Sequence, residues 1–367
     1  MRSSRGDGFV TIWRVLEFEA NYTGRRRDRT RFGVRGGFGM ADAAVGRLVA
    51  GVDLGGTKIL ACVVDAEHRI VGRSKHPTPA KEGAKAILDT IVKALHEACE
   101  SAGAKLGDLG AVGVGSPGPL DPHRGVILFS ANLNVRDFAL GPDLSSATGL
   151  PVILRNDVRV GGYGEYRLGA GRGHQNMIAV FVGTGIGGCV VSQGKVVEGL
   201  TGNAGEIGHV IVKAGGPLCG CGARGCLESV SSRTAIARRI GKKVRKGHDS
   251  VLAEKLHGKN HKLKSKELAA AVESADPIAL REVHRAAHYM GLAMGSMINL
   301  LGPDIIIVGG GVTEALGDPW IELIRAGARR QALTDPEGKV LIEAAGLGDD
   351  AGVQGAALMA REKLVNS

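Results

Sequence analysis

The sequence predicts an α/β fold with two lobes and a cleft between them. After about residue 47, short β-branched runs alternate with stretches whose apolar residues recur at helical spacing. Two glycine-rich turns stand in matching places, each directly after the first strand of a strand set, at Val52–Thr57 and at Val182–Gly187. Because the second set repeats the order of the first, we expect an internal duplication of the fold and a cleft between the two copies.

The first strand set should form one sheet covered by a helix. Its strands are predicted at Leu48–Leu54, Ile59–Asp65, Ile70–Ser74, Leu109–Gly115 and Val152–Arg155. The segment Ala84–Ala102 lies between the third and fourth strands and carries apolar residues at helical spacing, namely Ile87, Ile91, Leu95 and Cys99. We therefore expect this helix to cover one face of the first sheet.

The strand pattern begins again after residue 156. Strands are predicted at Met177–Val182, Gly187–Ser192, Lys195–Glu198, Asp304–Val308 and Val340–Glu343. Helices are predicted at Val158–Leu168, Ser231–Gly247, Leu252–Leu256, Pro277–Leu301 and Ala351–Leu364. The lysine-rich segment Lys255–Lys266 has the composition of a solvated connection, and we assign it no function.

The positive charge of the chain is concentrated near its N-terminus. The formal net charge is +10, and residues 1–39 supply half of it with nine arginines, no lysine and four acidic residues. This leader, taken as residues 1–45, has no strand or helix period and no apolar segment of a secretory signal, so we expect it to be disordered. Two explanations stay open for it: a mitochondrial-type presequence, or a mis-assigned start with Met40 as the true first residue. A charge placed in this way does not predict a nucleic-acid partner.

The composition describes a soluble globular protein of the cytoplasm. Hydrophobic residues make up 44% and charged residues 23% of the chain. No apolar run approaches the roughly 18–20 residues that span a bilayer, so we expect no membrane partner. Among the six cysteines, Cys62, Cys99 and Cys189 stand singly in apolar or helical patterns, where buried free thiols are usual. Such cysteine usage favours a reducing compartment.

The first glycine-rich turn has the residue types of a phosphate site. Gly55 and Gly56 allow backbone N–H groups to approach an anion, while Thr57 adds a hydroxyl group and Lys58 a positive charge. Asp53 ends the preceding strand and could hold a hydrated Mg²⁺ ion, which prefers carboxylate and phosphate oxygens. The spacing differs from the Walker A motif, and the turn leads into a strand, unlike the dinucleotide-binding fingerprint. A plain hairpin turn explains the same residues equally well.

Two further glycine clusters could complete a nucleotide site. The second turn offers the same kind of anion cradle from the other lobe, through Gly183, Thr184, Gly185 and Gly187. A third cluster follows the predicted strand Asp304–Val308 and consists of Gly309, Gly310 and Gly311. Glycines at a strand end permit close approach of a bulky ligand such as adenosine, although a flexible strand-to-helix connection is the alternative.

Asn156 and Asp157 stand between a predicted strand and a predicted helix. A carboxylate at the end of a strand that points into a cleft can accept a proton from an attacking hydroxyl group. Phosphoryl transfer needs little more from a protein than such a base, neutralised phosphates and correct placement. Asp is also among the best helix N-cap residues, and spacing alone favours the cap.

The stretch from His209 to Glu228 contains a metal-ligand pattern. Cys219, Cys221 and Cys226 fall within eight glycine-rich positions, and His209 stands just upstream. Three thiolates and one imidazole form the tetrahedral set that a structural Zn²⁺ ion prefers, with no open position for a reactive water. A disulfide or a chance cluster is the alternative, but a Cys-x-Cys pair closes too small a ring for an easy disulfide.

Carboxylates beside this metal pattern could hold a sugar. Glu206 and Glu228 flank the four predicted ligands, and carboxylates commonly accept hydrogen bonds from vicinal hydroxyl groups. A loop fixed by Zn²⁺ would hold such carboxylates in place and reduce the entropy cost of binding. With one ring nitrogen of His209 on the metal, the other could face a carboxylate or a substrate hydroxyl.

Taken together, these motifs resemble the ROK family of sugar kinases and repressors. They run in family order over residues 47–362, and the leader has no counterpart. The His-Cys-Cys-Cys stretch is the most specific of them. The motifs are Asp53–Lys58, Gly113–Gly118, Asn156-Asp157, Gly183–Gly188, Gly205–His209, Cys219–Glu228 and Ile306–Val312.

The resemblance implies an actin-like, ribonuclease-H-like pair of lobes that close over ATP, Mg²⁺ and a hexose. Residues 46–156 with 351–367 would form a small lobe, and residues 157–350 a large lobe with the zinc loop. Asp157 would be the base that deprotonates the attacked sugar hydroxyl. The two turns would hold the ATP phosphates, and residues 309–312 would line the adenosine pocket. The residues that would hold the sugar are Asn132, Asn156, Asp157, Glu206, His209 and Glu228.

Within the family, the end of the zinc loop is most similar to that of bacterial glucokinases, enzymes at the entry to glycolysis. N-acetylhexosamine kinases and fructokinases of the family are the alternatives, because the sequence does not reveal the pocket near the sugar 2-position. A sugar-responsive repressor is the alternative of another class. It would need an N-terminal helix-turn-helix of about 60–80 residues, and the roughly 50 residues before the first turn lack two amphipathic helices. The resemblance also implies a homo-oligomer, either a dimer or a tetramer.

Overall fold

The computed structural model describes residues 47–256, 263–335 and 337–365, all of which fall in one compact unit. The expectations for the leader 1–45 and for a start at Met40 lie outside these residues. Part of the lysine-rich segment, residues 257–262, also lies outside them.

Strands and helices alternate along the described chain. The strands are β1 (Leu48–Leu54), β2 (Lys58–Val64), β3 (Ile70–Pro77), β4 (Leu109–Ser116), β5 (Leu120–Asp121), β6 (Val126–Ser130), β7 (Val135–Phe138), β8 (Val152–Asn156), β9 (Met177–Val182), β10 (Ile186–Ser192), β11 (Lys195–Val196), β12 (Ile305–Gly309) and β13 (Leu341–Ala344). The α-helices are α1 (Ala84–Ser101), α2 (Leu140–Thr148), α3 (Asp157–Arg167), α4 (Leu227–Ser231), α5 (Arg233–Val244), α6 (Ala253–Leu256), α7 (Ser265–Glu273), α8 (Pro277–Leu301), α9 (Gly311–Arg329) and α10 (Ala351–Val365).

The two five-stranded sheets share one topology. The first has the strand order β3-β2-β1-β4-β8, and the second has the order β11-β10-β9-β12-β13. In each sheet the first three strands of the chain are antiparallel neighbours, and two later strands run parallel to the first. The predicted internal duplication is therefore present in strand order and direction. Strands β4 and β12 are buried along their whole length, because parallel strands in such sheets are covered on both faces.

Helix α8 begins and ends where the sequence predicted. The Asp276 carboxylate accepts hydrogen bonds from the backbone N–H groups of Ile278 and Ala279, at 2.9 and 2.8 Å. Pro277 occupies the first turn, where its missing N–H has no intrahelical partner to lose. Gly302 ends the helix in the left-handed conformation, with φ of 53°. Asp276 and Pro277 thus determine where the helix begins, and Gly302 determines where it ends.

Other elements differ from the sequence prediction. The expected helix Ser231–Gly247 is present as the shorter α5, which begins two residues later because Ser232 is extended and caps it by accepting a hydrogen bond from the N–H of Ala235. Helix α9 was not predicted, since Gly317 interrupts it with φ of 62° and Pro319 follows. The small sheet β5-β6-β7 and helices α2 and α7 were also not predicted. Their strands and helices are short, so their periodicity is weak.

Helix α10 packs against α3 and against strands β1 and β4. Glycines allow this close approach. A Cβ atom at Gly51 or at Gly113 would lie 1.9 Å from a backbone oxygen of α10, and one at Gly355 would lie 1.7 Å from the backbone oxygen of Val160 in α3. The C-terminal helix therefore lies directly on the first sheet and on the helix that begins at Asp157. Within the described ranges, none of the helices combines the length and the apolar character that a membrane crossing requires.

We expect Gly355→Ala to lower the free energy of unfolding by about 1–3 kcal/mol, since its Cβ atom would overlap the α3 backbone and force α10 away. Urea denaturation followed by circular dichroism measures this loss. Gly107→Ala is the matched control, because a Cβ atom there has no heavy atom within 4 Å. Equal stability of the two variants would contradict the close crossing.

Candidate functional site

A cavity of about 320 Å³ lies where strand ends from both sheets face each other. Its lining includes Asp53 near the end of β1, Asp157 at the start of α3, Gly310 and Gly311 after β12, and Asp349 ahead of α10. Side chains that follow parallel strands collect at the carboxyl edge of their sheet, which explains why residues distant in sequence meet here. The structure thus brings predicted residues from both halves of the chain into one cavity.

Asp157 is the first residue of α3, and Asn156 caps the helix. The Asn156 side-chain oxygen accepts hydrogen bonds from the N–H groups of Val158 and Arg159, at 3.0 and 3.2 Å. The cap that spacing alone assigned to Asp157 therefore belongs to its neighbour. The half-buried Asp157 carboxyl lines the cavity and accepts a hydrogen bond from the N–H of Val158 at 2.8 Å. Burial raises the pKa of Asp157, and its hydrogen bonds oppose that rise only in part.

Asp53 lies in a cluster of negative charge. Burial raises its pKa to about 6, and repulsion from Asp157 and then from Asp349 adds to the effect, while Lys58 opposes it. The Lys58 ammonium nitrogen lies 3.4 Å from a carboxylate oxygen of Asp349. Glu314 lines the same cavity, so four carboxyl groups share it, and the nearby ammonium group of Lys58 is itself paired. Such a site favours a bound cation.

The first turn is held by its own backbone and by Thr78. The N–H of Gly55 donates to the backbone oxygen of Lys58 at 2.9 Å, and the Thr78 hydroxyl donates to the backbone oxygen of Gly55 at 2.6 Å. The turn residues 55–58 line a neighbouring cavity together with Lys75 and His76. The turn keeps its glycines beside open space, as an anion cradle requires.

The second turn is held by residues that the sequence analysis missed. Arg233 donates through Nη2 to the Thr184 hydroxyl at 2.7 Å, and its backbone N–H donates to the oxygen of Gly183 at 3.0 Å. The Thr234 hydroxyl donates to the backbone oxygen of Thr184 at 2.7 Å. Both residues begin α5. The sequence did not indicate their contacts with the turn, because the predicted helix ran through Ser232, where the chain is in fact extended.

Two residues of the third glycine cluster, Gly309 and Gly310, have no room for a side chain. Gly310 has φ of 84°, and a Cβ atom there would lie 2.8 Å from the backbone nitrogen and oxygen of Val182. A Cβ atom at Gly309 would lie 2.7 Å from the Phe181 ring. The end of β12 therefore packs closely on the end of β9, and Gly311 starts α9 beside the cavity. The backbone stays accessible to a ligand at this point.

His209, Cys219, Cys221 and Cys226 converge on one point. Their ligand atoms all lie within 4.8 Å of one another. The distances from Cys219 Sγ to His209 Nδ1 and from Cys221 Sγ to Cys226 Sγ are both 3.7 Å. Thiolates at the usual Zn–S length stand about 3.8 Å apart in a tetrahedron, so the spacing fits a Zn²⁺ ion. All six cysteines, which lie in the described ranges, are free thiols.

Glu228 connects the metal-ligand loop to the second turn. One carboxylate oxygen accepts a hydrogen bond from the N–H of Ile186 at 3.0 Å, and the other lies 3.7 Å from Cys219 Sγ. A Cβ atom at Gly185 would lie 2.3 Å from the same carboxylate. Glu228, predicted to hold sugar, therefore also fixes a turn predicted to hold phosphate.

The other predicted sugar residues are spread around the cleft. Asn132 is exposed and lies against the first turn, since a Cβ atom at Gly56 would lie 2.8 Å from Asn132 Cβ. Glu206 is exposed and lines a separate cavity of about 350 Å³, with Met297 and Leu301 in its wall. The structure does not bring Glu206 into the cavity that Asp157 lines.

Known proteins resemble this chain over most of its length. The sequence profile of the ROK family matches residues 49–363. A curated glucokinase from Halalkalibacterium halodurans is 36% identical over 318 residues, which cover 86% of this chain and 96% of that protein.

Solved structures extend the similarity to the fold. A ROK hexokinase from Thermus thermophilus superposes with a TM-score of 0.75 at 35% identity, covering 87% of this chain and 100% of that one. A ROK family glucokinase from Streptomyces griseus, solved in complex with glucose and AMPPNP, gives a TM-score of 0.72 at 35% identity, covering 86% and 99%. These similarities confirm the predicted two-lobed, actin-like α/β fold.

The charge cluster predicts how Asp53 affects stability. The folded protein keeps a proton on Asp53 up to about pH 6, whereas the unfolded chain releases it near pH 4. The ionised group therefore destabilises the fold fully above about pH 6, and the penalty disappears as the pH falls towards 4. In Mg²⁺-free buffer we expect Asp53→Asn to raise the melting temperature at pH 7, with a difference that shrinks towards pH 4.

Asp304→Asn is the control, for which we expect a change in melting temperature of the opposite sign. Burial opposes its ionisation, but hydrogen bonds from the N–H groups of Asn176 and Gln175, at 2.8 and 2.9 Å, hold the pKa of Asp304 below its usual value. This variant should lower the melting temperature at pH 7. An Asp53→Asn variant that is also less stable at pH 7 would show that the carboxylates do not repel one another.

Proposed function

This chain belongs to the ROK family, and on that premise we propose that it is an ATP-dependent hexose kinase that converts glucose to glucose 6-phosphate. The observation that carries the proposal is the Asp157 carboxyl, which shares one cavity with Asp53 and with the glycine cluster after β12. The glucokinase from Halalkalibacterium halodurans supports glucose as the substrate.

In the proposed reaction Asp157 acts as the general base. Its carboxylate accepts the proton of the sugar 6-hydroxyl as that oxygen attacks the γ-phosphorus of ATP, and the bond from phosphorus to the ADP oxygen breaks. The raised pKa of Asp157 suits this role, because a base whose pKa lies nearer to the working pH accepts a proton more readily.

The backbone turns and the carboxylates would hold the nucleotide. The N–H groups of the turns at residues 55–58 and 183–187 would face the phosphates, and Gly310 and Gly311, which line the cavity, would lie beside the adenosine. Asp53 and Asp349 would supply the carboxylate oxygens that Mg²⁺ prefers, and their mutual repulsion would fall when a cation binds. Mg²⁺ bound with ATP would neutralise charge that develops on the phosphate oxygens.

A panel of hexoses tests the substrate. ADP release coupled to NADH oxidation is measured with glucose, N-acetylmannosamine, N-acetylglucosamine and fructose, with MgATP as the donor. We expect the highest kcat/KM with glucose and glucose 6-phosphate as the product. Preference for an N-acetylated sugar or for fructose would assign the alternative kinases, and no turnover with any hexose would refute the proposal.

We expect Asp157→Asn to lower kcat by about 10²–10⁴-fold, because the amide cannot accept the proton. The Kd for glucose, measured by calorimetry, should stay close to that of the wild type, since the amide still forms hydrogen bonds. Asp143→Asn, in the first turn of α2, is the matched control and should retain wild-type kcat. Near-normal turnover by Asp157→Asn would show that another group is the base.

We also propose that His209, Cys219, Cys221 and Cys226 hold a structural Zn²⁺ ion. The donor set and the tetrahedral spacing support the assignment. A bound ion would fix the loop that ends at Glu228, and through Glu228 the N–H of Ile186 in the second turn. We place the protein in the cytoplasm, because three free thiolate ligands persist best in a reducing compartment.

Elemental analysis should find one Zn²⁺ ion per chain, and Cys226→Ser should lose it. Because Glu228 joins the loop to the second turn, we expect this variant to raise KM for ATP as well as KM for glucose and to lower the melting temperature. Cys99→Ser changes a buried thiol in α1 and should keep the ion. A zinc-free wild type with normal activity would exclude the metal assignment.

A further inference from the structure

Glu165 is a fully buried carboxylate in the last turn of α3. Its relative exposure is 0%, the lowest value a side chain can have. The carboxylate accepts three hydrogen bonds from backbone N–H groups: from Ala170 at 3.1 Å, from Gly346 at 3.0 Å and from Leu347 at 2.8 Å. A buried carboxylate is costly unless such donors satisfy it, so the three contacts define where the neighbouring backbone must lie.

Two of these donors belong to the segment that follows β13. Ala345, Gly348 and Asp349 in this segment line the cavity that holds Asp157. The N–H of Ala345 donates to the backbone oxygen of Val308, which attaches the start of the segment to β12 at 3.0 Å. Beyond that point the carboxylate of Glu165 holds the backbone at Gly346 and Leu347. Asp349, which pairs with Lys58, follows two residues later.

The chain passes between the two sheets at both places that Glu165 connects. It leaves β8 of the first sheet at Asn156 and enters α3 at Asp157. It leaves β13 of the second sheet at Ala344 and enters α10, which packs on the first sheet. Glu165 lies on the helix of the first passage and binds the backbone of the second. Its contacts therefore join the element that begins with Asp157 to the segment that carries Asp349.

We propose that Glu165 is a positioning residue that sets where Asp349 lies relative to Asp157, and through it the affinity for MgATP. The expected effect on MgATP affinity rests on the proposed kinase function, whereas the hydrogen bonds of Glu165 do not depend on that function. The carboxylate is closely surrounded, which supports a fixed position for it. A Cβ atom at Gly169 would lie only 2.1 Å from Glu165 Oε2. The three residues that donate hydrogen bonds to the Glu165 carboxylate do not themselves line the cavity.

Glu165→Gln tests the proposal with nearly the same volume. The amide nitrogen cannot accept a hydrogen bond, so at least one of the three N–H groups loses its partner. We expect hydrogen–deuterium exchange at the amides of Gly346 and Leu347 to become faster. We expect the Kd and KM for MgATP to rise about tenfold, as for one lost charge-assisted hydrogen bond, with the Kd for glucose unchanged. Glu165→Asp, which draws the carboxylate back by one methylene group, should show the same pattern.

Glu282→Gln is the matched control. Glu282 is also buried, at 1% exposure, and its carboxylate binds the Arg239 guanidinium at 2.5 Å within the helices of the second half of the chain. This variant should lower the melting temperature without a selective change in the affinity for MgATP. Comparing the two variants distinguishes an effect on the position of Asp349 from the general effect of removing a buried negative charge.

Three outcomes would overturn the proposal. One is unchanged MgATP affinity in a folded Glu165→Gln variant, and another is an equal loss of affinity for MgATP and glucose. The third is failure of both Glu165 variants to fold, because the residue would then serve the core alone. Wild-type protein that binds MgATP but phosphorylates no hexose would refute the proposed function, while the comparison of MgATP affinities would still decide the role of Glu165.

Discussion

Helix α10 lies against the first sheet and α3 at contacts where the chain has no room for a side chain. Gly51 and Gly113 in the sheet and Gly355 in the helix each place a hydrogen where any other residue would place a carbon within 2 Å of a backbone oxygen. Because α3 begins at Asp157 and α10 follows Asp349, this packing constrains, together with Glu165, the elements that carry two cavity carboxylates. Because closely packed protein interiors shift when even one methyl group is added, a larger residue at these glycines would change the dimensions of the cavity.

Acidic side chains meet in the cavity, and at Asp53 the positive charge of Lys58 offsets burial and repulsion only in part. Asp53 has a raised pKa because it is buried beside Asp157 and near Asp349, while the ammonium group of Lys58 is already paired. Elsewhere in the fold, Glu228 joins the cysteine-rich loop to the second turn. A cation at the carboxylates would relieve the repulsion at Asp53, and a metal ion in the loop would hold Glu228 in place.

The sequence predicted the elements whose signals are local. The strands of both large sheets and the ends of α8 follow from β-branched runs, a cap at Asp276 and a stop at Gly302. The convergence of the three cysteines with His209 also followed from spacing. Contacts between distant segments could not be predicted from local signals. No local pattern indicated that Arg233 donates to Thr184 or that the Glu228 carboxylate accepts a hydrogen bond from Ile186. Helix α9 was missed because Gly317 and Pro319 break the periodicity within one helix.

The position of α10 at the end of the chain has a consequence for how the protein forms during translation. Strands β1 and β4 leave the ribosome well before α10, and residues 351–365 pack against both strands at glycines of the first sheet. The packing of the first sheet is therefore complete only after α10 has been synthesised. Until then, the face that α10 covers stays exposed on the nascent chain, where chaperones bind apolar segments.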